Sequence, residues 1–372
     1  MKIAIVHEWF VSYAGSEKVV EQLINVFPEA DLFSIVDFMP PEKRGFLHGK
    51  KVTTSFIQKL PFAKKKFRNY LSLMPLAVEQ FDLSDYDIII SSSHAVAKGV
   101  ITGPDQIHIS YVHSPIRYAW DLQWQYLKES NLENGLKSWI VRYILHKIRL
   151  WDSRTANGVD FFVANSKYIG RRIWKIYRRK SEVIYPPVDI ESFPLQVNKK
   201  NFYVTASRIV PYKKVETIVE AFNEMPDKRL VVIGDGPGYE RVKNLAKPNI
   251  EIMGYQDFSV LKSYLQEAKA FIFASEEDFG ITPVEAQACG TPVIAYGRGG
   301  ALESVRSIDG ERPTGIFFDK QTPDAIISAV KKFEELIDVF DPLMCRKNAE
   351  RFTVQKFRNR IKTYIESKIE AQ

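Results

Sequence analysis

Residues 277–293 read EDFGITPVEAQACGTPV, and they outline a complete supersecondary unit. An apolar run precedes them and predicts a strand, which a glycine-containing loop joins to a helix. Thr282 is the expected N-cap and Pro283 the expected first helical residue, while Gly290 closes the helix. The next strand is predicted at Thr291–Tyr296. This order of elements is typical of a parallel sheet covered by helices.

Similar apolar runs recur on both sides of this stretch, and neighbouring runs leave room for one helix between them. In the first half, the predicted strands are Lys2–His7, Asp87–Ser91, Ile107–His113, Asp160–Asn165 and Glu182–Tyr185. In the second half they are Phe202–Ala206, Arg229–Gly234, Ile250–Met253, Ala270–Ala274 and Thr291–Tyr296. The pattern predicts an α/β chain of two doubly wound, Rossmann-like domains. Because ligands bind outside the carboxyl ends of such strands, we expect the domains to face a central cleft.

The segment from Pro186 to Lys200 interrupts the alternation with paired prolines and polar residues, which indicates a domain boundary. We place the N-terminal domain at 1–195 and the C-terminal domain at 196–353. Residues 354–372 form a last helix with apolar side chains on one face, and that face must dock on a domain. We expect this helix to cross back to the N-terminal domain.

The composition is that of an ordinary globular protein, with 45% hydrophobic and 26% charged residues. No apolar run approaches the roughly 20 residues that cross a bilayer, and the first residues lack the pattern of a signal peptide. We therefore expect a cytoplasmic protein. Cys289 and Cys345 are the only cysteines and lack metal-ligand spacing, so neither a disulfide nor structural zinc is expected.

Basic residues are concentrated in the first half of the chain. Residues 1–195 hold 26 Lys and Arg against 20 Asp and Glu, whereas residues 196–372 hold 26 against 25. Basic clusters with aromatic residues beside them lie at Lys64–Arg68, Arg142–Arg149 and Arg171–Lys180, and Lys64–Arg68 is the main candidate contact. Such a surface suits anionic lipid headgroups, a phosphorylated acceptor or nucleic acid, and a solvated helix face explains it equally well. We expect weak peripheral contact with the cytoplasmic membrane face and no nucleic-acid binding.

The spacing Glu277-x7-Glu285 with an intervening Phe-Gly resembles the signature of the retaining glycosyltransferases of family 4, which have the two-domain GT-B architecture. Other segments resemble the family in the same order along the chain: Ala14–Glu17, Val112–Tyr118, Arg208–Lys213 and Gly234–Pro237. The histidine segment Val112–Tyr118 resembles that of bacterial mannosyltransferases of surface polysaccharide assembly. Together these motifs cover nearly the whole chain.

The resemblance implies an acceptor-side first domain and a donor-binding second domain. It assigns catalytic roles to His113, Arg208, Lys213 and Glu277, and donor binding to Gly15, Gly280, Ile281, Thr282 and Glu285. In these roles Glu277 holds sugar hydroxyls, Glu285 binds the ribose, and His113 lies against the transferred sugar. The chain departs from the family at two positions, where Ala14 and Lys214 replace glycines.

Physical chemistry supports these roles independently. Negative charge grows on a leaving diphosphate, so the Arg208 guanidinium and the Lys213 ammonium would stabilise the transition state more than the ground state. The amides of Gly280 to Thr282 add an anion site at a helix N-terminus, and Gly15 lets the backbone approach a ligand closely.

Each of these residues also has a purely structural interpretation. Thr282-x-x-Glu285 fits a capping box in which the carboxylate satisfies backbone donors. Glu277, Arg208 and Lys213 fit surface residues, Gly15 fits a plain strand-to-helix turn, and His113 fits a structural histidine.

The sequence thus predicts a retaining transferase that moves mannose from GDP-mannose to a glycan or lipid-linked acceptor, with no metal or other cofactor. A UDP-sugar-dependent transferase of the same fold and a catalytically silent sugar-nucleotide-binding protein stay open as alternatives. Asp85-Tyr86-Asp87 has the spacing of a metal-binding D-x-D motif but precedes a buried run, which favours a turn. Gly234 and Gly236 match the first two glycines of a dinucleotide fingerprint, but Tyr239 occupies the position of the third. An NAD-dependent oxidoreductase is therefore a poor fit.

Overall fold

The structure is a computed structural model, described here for residues 1–371. The chain divides into two compact units. The first comprises Met1–Pro187 together with the chain from Phe357 onward, and the second comprises Val188–Lys356. No helix within residues 1–371 is both long enough and apolar enough to cross a membrane.

The first unit is built on a seven-stranded parallel sheet with the order β3-β2-β1-β4-β5-β6-β7. Its strands are β1 (Ile3–Phe10), β2 (Asp31–Asp37), β3 (Val52–Thr54), β4 (Ile88–Ser93), β5 (Ile107–Val112), β6 (Phe161–Ala164) and β7 (Ser181–Val183). Its helices are α1 (Gly15–Val26), α2 (Ala63–Lys66), α3 (Met74–Glu79), α4 (Gln123–Glu129), α5 (Leu136–Thr155) and α6 (Lys167–Tyr177). All six residues of β4 are buried, as expected for a parallel strand covered on both faces.

The second unit has a six-stranded parallel sheet with the order β10-β9-β8-β11-β12-β13. Its strands are β8 (Tyr203–Ala206), β9 (Leu230–Ile233), β10 (Ile250–Gly254), β11 (Ala270–Phe273), β12 (Val293–Tyr296) and β13 (Gly315–Phe318). The helices that follow β8 are α7 (Val215–Asn223), α8 (Tyr239–Leu245), α9 (Phe258–Glu267), α10 (Ile281–Ala288), α11 (Ala301–Ser304), α12 (Pro323–Glu335), α13 (Pro342–Ala349) and α14 (Val354–Ile369). The central strands β8 and β11 are fully buried, which explains their uninterrupted apolar runs.

The predicted strands are all present, with ends that differ by a few residues, but three strands escaped prediction. These are β2, β3 and β13. β3 is a short, half-exposed edge strand, VTT, whose composition carries no alternation. β2 and β13 contain the short apolar runs LFSIV and IFF, which are typical of buried strands and could have been predicted from the sequence.

The boundary between the units lies after Pro187 rather than after residue 195. The Val188 amide donates to the Phe352 carbonyl at 2.9 Å, and Val188 forms an isolated parallel bridge with Thr353. This pairing ties the segment that follows Pro187 to the second unit.

Helix α14 contributes its apolar face to the core of the first unit. Phe357, Ile361 and Ile365 are buried there in a cluster that includes β1, β4 and β5. On its polar side, Arg358 Nε donates to Gln22 Oε1 at 2.7 Å, and Arg360 pairs with Glu182 at 3.0 Å. The periodic stripe at the end of the sequence is therefore explained by burial against the first sheet.

We expect Ile361→Ala to lower the free energy of unfolding of the first unit by about 2–5 kcal/mol, because it leaves a cavity at a fully buried position. Lys362→Ala, on the exposed side of the same helix turn, serves as the control and should change stability by no more than about 0.5 kcal/mol. Thermal or urea unfolding of the full chain measures both variants. Equal stability of the two variants would contradict the packing of α14 on the first sheet.

Candidate functional site

In the second unit, the loops after β8 and β11 bring two predicted site residues into contact. The Lys213 ammonium donates a hydrogen bond to Glu277 Oε1, and both side chains are largely buried. These residues lie 64 positions apart in the chain. They meet because β8 and β11 are neighbours in the sheet, so their carboxyl ends share one edge.

The Glu277 carboxylate is held from a second side by Ser275, whose hydroxyl donates to Oε1 at 2.7 Å. The backbone around it is fixed by two glycines after β12. The Gly300 amide donates to the Glu277 carbonyl at 2.8 Å. A Cβ on Gly299 would lie 2.3 Å from that carbonyl oxygen, and one on Gly300 would lie 2.2 Å from Phe279 Cα. The loop that carries Glu277 can therefore pack this closely only against glycine.

The structure also shows why one lysine of the pair contacts the carboxylate and the other does not. Lys213 ends a short 3₁₀ turn, Pro211–Lys213, whereas Lys214 adopts a left-handed conformation with φ of 57° at the N-cap of α7. Glycine has no steric penalty in that region, which accounts for the family's glycine at this position. The replacement by Lys214 strains the backbone and leaves Lys213 in place.

Arg208 lies on the loop after β8 and is exposed, without a contact to Glu277. Its loop is packed against the glycine turn after β9. The Ile209 amide donates to the Asp235 carbonyl at 2.9 Å, and the Gly238 amide donates to the Ile209 carbonyl at 3.1 Å. Gly236 has a φ of 153°, and a Cβ there would lie 2.5 Å from the Ile209 carbonyl oxygen. The turn thus positions the Arg208 backbone.

Helix α10 begins two residues earlier than predicted. Its N-cap is Gly280, with φ of 82°, and Ile281 is its first residue. Thr282 is therefore inside the helix, and the prediction that it is the N-cap was wrong. The left-handed conformation at Gly280 turns the chain into the helix without a side-chain cap. The amides of Ile281 and Thr282 still belong to the first helical turn, where donors lack partners within the helix.

The same shift removes the capping-box interpretation of Glu285. With Gly280 as the N-cap, Glu285 lies in the second turn, and no side chain caps the helix. Glu285 is 8% exposed, so its carboxylate is held at a largely buried position.

In the first unit, Gly15 is the first residue of α1 and follows Ala14 as N-cap. The buried Glu17 carboxylate accepts from the Ala14 amide at 3.0 Å and from the Ser16 hydroxyl at 3.0 Å. Alanine is tolerated at position 14 because its φ is −139°, which any residue adopts. The chain's departure from the family glycine therefore causes no strain here.

His113 follows β5 and is linked to Glu17 through two buried side chains. Its Nε2 lies 2.8 Å from Ser92 Oγ, which lies 3.1 Å from His7 Nδ1. His7 Nε2 lies 3.4 Å from Glu17 Oε1. Neighbouring strands β1, β4 and β5 thus connect the predicted histidine to the loop of Gly15.

The Glu17 carboxylate orients the donors and acceptors along this series of hydrogen bonds. Burial alone raises the pKa of Glu17, but its contacts with His7 and Ser16 lower it overall, so the carboxylate is ionised and only accepts. In the tautomer of His7 that carries its proton on Nε2, toward this carboxylate, Nδ1 accepts the Ser92 hydroxyl proton. The Ser92 oxygen then accepts from His113 Nε2–H, which leaves His113 Nδ1 as an acceptor.

Burial holds the pKa of His113 well below its usual value, and the neighbouring His94 and His7 lower it further. The ring is accordingly neutral at pH 7. A neutral imidazole with a fixed acceptor nitrogen suits a contact with a hydroxyl group.

On β1, the residue after His7 points to the opposite face of the sheet. Glu8 is fully buried and accepts from four successive backbone amides in the loop after β4. The donors are His94 at 2.9 Å, Ala95 at 2.7 Å, Val96 at 2.8 Å and Ala97 at 3.0 Å. His7 and Glu8 are thus both structural anchors, each for a different loop.

Sequence reasoning missed several residues that hold the candidate side chains in each unit: His7, Glu17 and Ser92 in the first unit, and Ser275, Gly299 and Gly300 in the second. Polar residues at the ends of predicted apolar strands were the available signal for His7 and Ser92. The motif Asp85-Tyr86-Asp87 lies before β4, where Asp87 accepts from the Lys2 amide at 2.6 Å and Tyr86 donates to Asp31 at 2.9 Å. Within residues 1–371, no three His, Cys, Asp or Glu side chains are grouped so that they could hold a metal ion.

Two family models match the chain: Glycosyltransferase Family 4 over residues 13–192 and Glycosyl transferases group 1 over residues 172–351. The two models together match residues 13–351, so the first half of the chain is similar to family 4 glycosyltransferases and the second half to group 1 glycosyl transferases. The chain is 30% identical over 184 residues to an uncharacterized glycosyltransferase of Methanocaldococcus jannaschii, covering 48% of this chain and 50% of that protein. It is also 32% identical over 148 residues to the GDP-mannose-dependent alpha-(1-6)-phosphatidylinositol monomannoside mannosyltransferase of Mycolicibacterium smegmatis, covering 34% of this chain and 37% of that protein.

The chain also resembles the solved structure of Anabaena HepE in complex with UDP-glucose. The TM-score is 0.68 at 18% sequence identity, with 99% of this chain and 100% of that chain covered. Together with the two parallel sheets, this likeness confirms the predicted fold class of two Rossmann-like domains of the GT-B type. The chain spans about half the length of the curated relatives it matches first.

We expect nitrogen chemical shifts to show His113 as the neutral Nε2–H tautomer at pH 7. In Ser92→Ala the hydroxyl between the two rings is lost, so His113 should become a mixture of both tautomers. The fold should lose about 1–3 kcal/mol of stability, because buried ring nitrogens lose their partner. NMR of imidazole-labelled protein measures the tautomer, and urea unfolding measures the stability.

Ser91→Ala is the matched control, because Ser91 Oγ lies 2.8 Å from Nε2 of a different histidine, His108. It should cost similar stability and leave the shifts of His113 unchanged. A wild-type His113 that carries its proton on Nδ1 would refute the proposed order of donors.

Proposed function

We propose that this chain is a retaining glycosyltransferase that moves mannose from GDP-mannose to a glycan or lipid-linked saccharide acceptor. The observation that carries the proposal is the contact between Lys213 and Glu277 at the edge of the second sheet where α10 begins. A cation, a carboxylate and the first amides of a helix are the groups that recognise the phosphates and the hydroxyls of a nucleotide sugar.

The diphosphate would be bound by Lys213, Arg208 and the amides of Ile281 and Thr282. An ammonium group has three donors, so Lys213 keeps its bond to Glu277 while it donates to a phosphate oxygen. Arg208 is exposed, so its planar guanidinium is available for two phosphate oxygens. As the glycosidic bond breaks, charge grows on these oxygens, and the cations stabilise the transition state more than the bound donor.

The two glutamates would bind different parts of the donor. We assign Glu277 to the sugar hydroxyls, because Ser275 and Lys213 occupy only one of its oxygens, Oε1. Glu285 would accept from the ribose hydroxyls. Its buried position outside a capping box supports a binding role.

In the first unit, we assign His113 to the transferred sugar. Its neutral ring and acceptor Nδ1 fit a sugar hydroxyl. Two features support mannose and GDP: the resemblance of Val112–Tyr118 to bacterial mannosyltransferases, and the relative from Mycolicibacterium smegmatis that is named as GDP-mannose-dependent.

We propose a front-face displacement for the chemical step. The acceptor oxygen bonds to the anomeric carbon on the side from which the diphosphate leaves, and a leaving phosphate oxygen takes the acceptor's proton. The bond to the diphosphate breaks as the new glycosidic bond forms, so the anomeric configuration is retained.

Incubation of the purified protein with a panel of nucleotide sugars tests the donor. GDP-mannose should be hydrolysed slowly and should raise the melting temperature more than UDP-glucose or UDP-N-acetylglucosamine, since a ligand stabilises only the folded state that binds it. Preference for a UDP-sugar would replace the donor assignment, and binding without turnover would favour a silent sugar-nucleotide-binding protein.

We expect Glu277→Gln to lower turnover at least about tenfold, equivalent to ~1.4 kcal/mol, because it weakens charge-assisted bonds to the sugar. Its affinity for free GDP should stay unchanged, because GDP has no sugar to contact. Glu285→Gln should instead lower the affinity for both GDP and GDP-mannose. Calorimetric titration and a radiolabelled transfer assay separate the two effects.

Both changes keep the side-chain volume, so melting temperatures near that of the wild type are the control for intact folding. If both variants bind nucleotide and transfer sugar like the wild type, the active site is elsewhere.

Transfer should continue in EDTA, because Arg208, Lys213 and the helix amides together neutralise the leaving diphosphate. The transfer rate with and without chelator measures this directly. Complete loss of activity in EDTA, restored by added magnesium or manganese, would overturn the assigned roles.

A further inference from the structure

Helix α5 of the first unit exposes a compact set of large apolar side chains. The exposed fractions are 77% for Leu136, 75% for Trp139, 52% for Ile140 and 62% for Tyr143. Their spacing places them on one face of the first two turns. Trp124 of the preceding helix α4 is 64% exposed, and its ring lies under the guanidinium of Arg142 on α5. We call these five residues the aromatic face.

The opposite side of α5 already packs on the first unit. Leu145 and Ile148 are buried there with Ile116 and Ala119. The aromatic face therefore adds nothing to the fold of the first unit, and apolar exposure on this scale usually marks a surface that contacts a partner.

Helix α5 contributes surface charge of one sign beside the aromatic face, whereas the exposed acids Glu129 and Glu133 lie on the preceding helix and loop. Helix α5 carries five Lys and Arg residues and a single acidic residue, Asp152. Asp152 is fully buried and paired with Lys98 at 2.8 Å, so no carboxylate of α5 reaches the surface. The Arg142 guanidinium lies 4.7 Å from the Trp124 ring centroid, and the Lys147 ammonium lies 5.5 Å from that of Tyr143. Cations thus border the aromatic side chains directly.

We propose that the aromatic face of α5 docks the protein on an anionic lipid surface, with the helix lying in the plane of the interface. Tryptophan and tyrosine favour the boundary between headgroups and acyl chains, while leucine and isoleucine enter the apolar layer. The bordering cations meet the lipid phosphates. A second copy of the chain fits less well, because two such faces would bring cations of like charge together without an acidic partner on either helix.

The basic segment Lys64–Arg68 is a second contact rather than the main one. Its three lysines are exposed next to Phe62, but Arg68 lies over the Phe67 and Trp9 rings at 4.6 and 5.5 Å. Only one large apolar side chain, Phe62, is exposed there, so this segment offers attraction by charge with little to insert. The docking proposal is independent of the proposed function, since vesicle binding needs no catalysis.

Flotation of the full chain with vesicles tests the proposal. Vesicles of equal parts phosphatidylglycerol and phosphatidylcholine should bind the wild type, and vesicles of phosphatidylcholine alone should bind it more weakly. The double variant W139S/I140S should lose at least about tenfold in affinity for the anionic vesicles, with an unchanged melting temperature. Trp174→Ser is the matched control, because Trp174 is a half-exposed tryptophan on α6 outside the aromatic face, and it should bind like the wild type.

Three outcomes would overturn the proposal. The first is a wild type that does not float with anionic vesicles at low salt. The second is W139S/I140S that binds like the wild type, while replacement of Lys64, Lys65, Lys66 and Arg68 by glutamine abolishes binding. The third is a dimer in light scattering that W139S/I140S converts to a monomer, which would assign the face to self-association.

Discussion

Parallel strands that end at a common edge leave loops whose backbone amides need partners, and Glu8 meets that need in the first unit. One buried carboxylate at the end of β1 accepts from four consecutive amides of the loop after β4. Without those bonds, several buried donors would lose their partners at once. The loop they fix begins directly after Ser92 and Ser93, so the position of Ser92, and through it that of His113, depends on the same strand end.

The second unit solves the same problem with glycine rather than with a carboxylate. The loop after β11 rests on Gly299 and Gly300, and the loop after β8 rests on Gly236. In both places a side chain on the glycine would collide with the backbone of the neighbouring loop. The close distance between the two loops therefore depends on glycine. The contact between Lys213 and Glu277 follows from that spacing. The positions of these two polar side chains are therefore set by the packing of the loop backbones as well as by the hydrogen bond between them.

The sequence predicts the central strands well because burial on both faces produces continuous apolar runs, as in β9 and β11. It predicts edge strands poorly, as in β3, because a half-exposed strand of three residues has no readable period. The start of α10 was misplaced because Thr-Pro is a strong helix-start signal, yet the left-handed Gly280 had already turned the chain. Residue types at Glu277 and Lys213 indicated the chemistry, but only strand order shows that they touch. The hydrogen bonds that link His113 to Ser92 and onward to Glu17 join residues on different strands and helices, so their spacing in the sequence does not reveal them.

The glycine pair after β12 bears on how this protein could be diversified. In a saturation library of active variants, we expect almost only glycine to be recovered at positions 299 and 300. Selection there would reflect a collision with the backbone of Glu277 and Phe279. A search for altered donor preference would therefore gain little from varying these two positions and more from neighbours such as the exposed Arg298. After β12, the positions that tolerate the least change are thus the two glycines, which have no side chain.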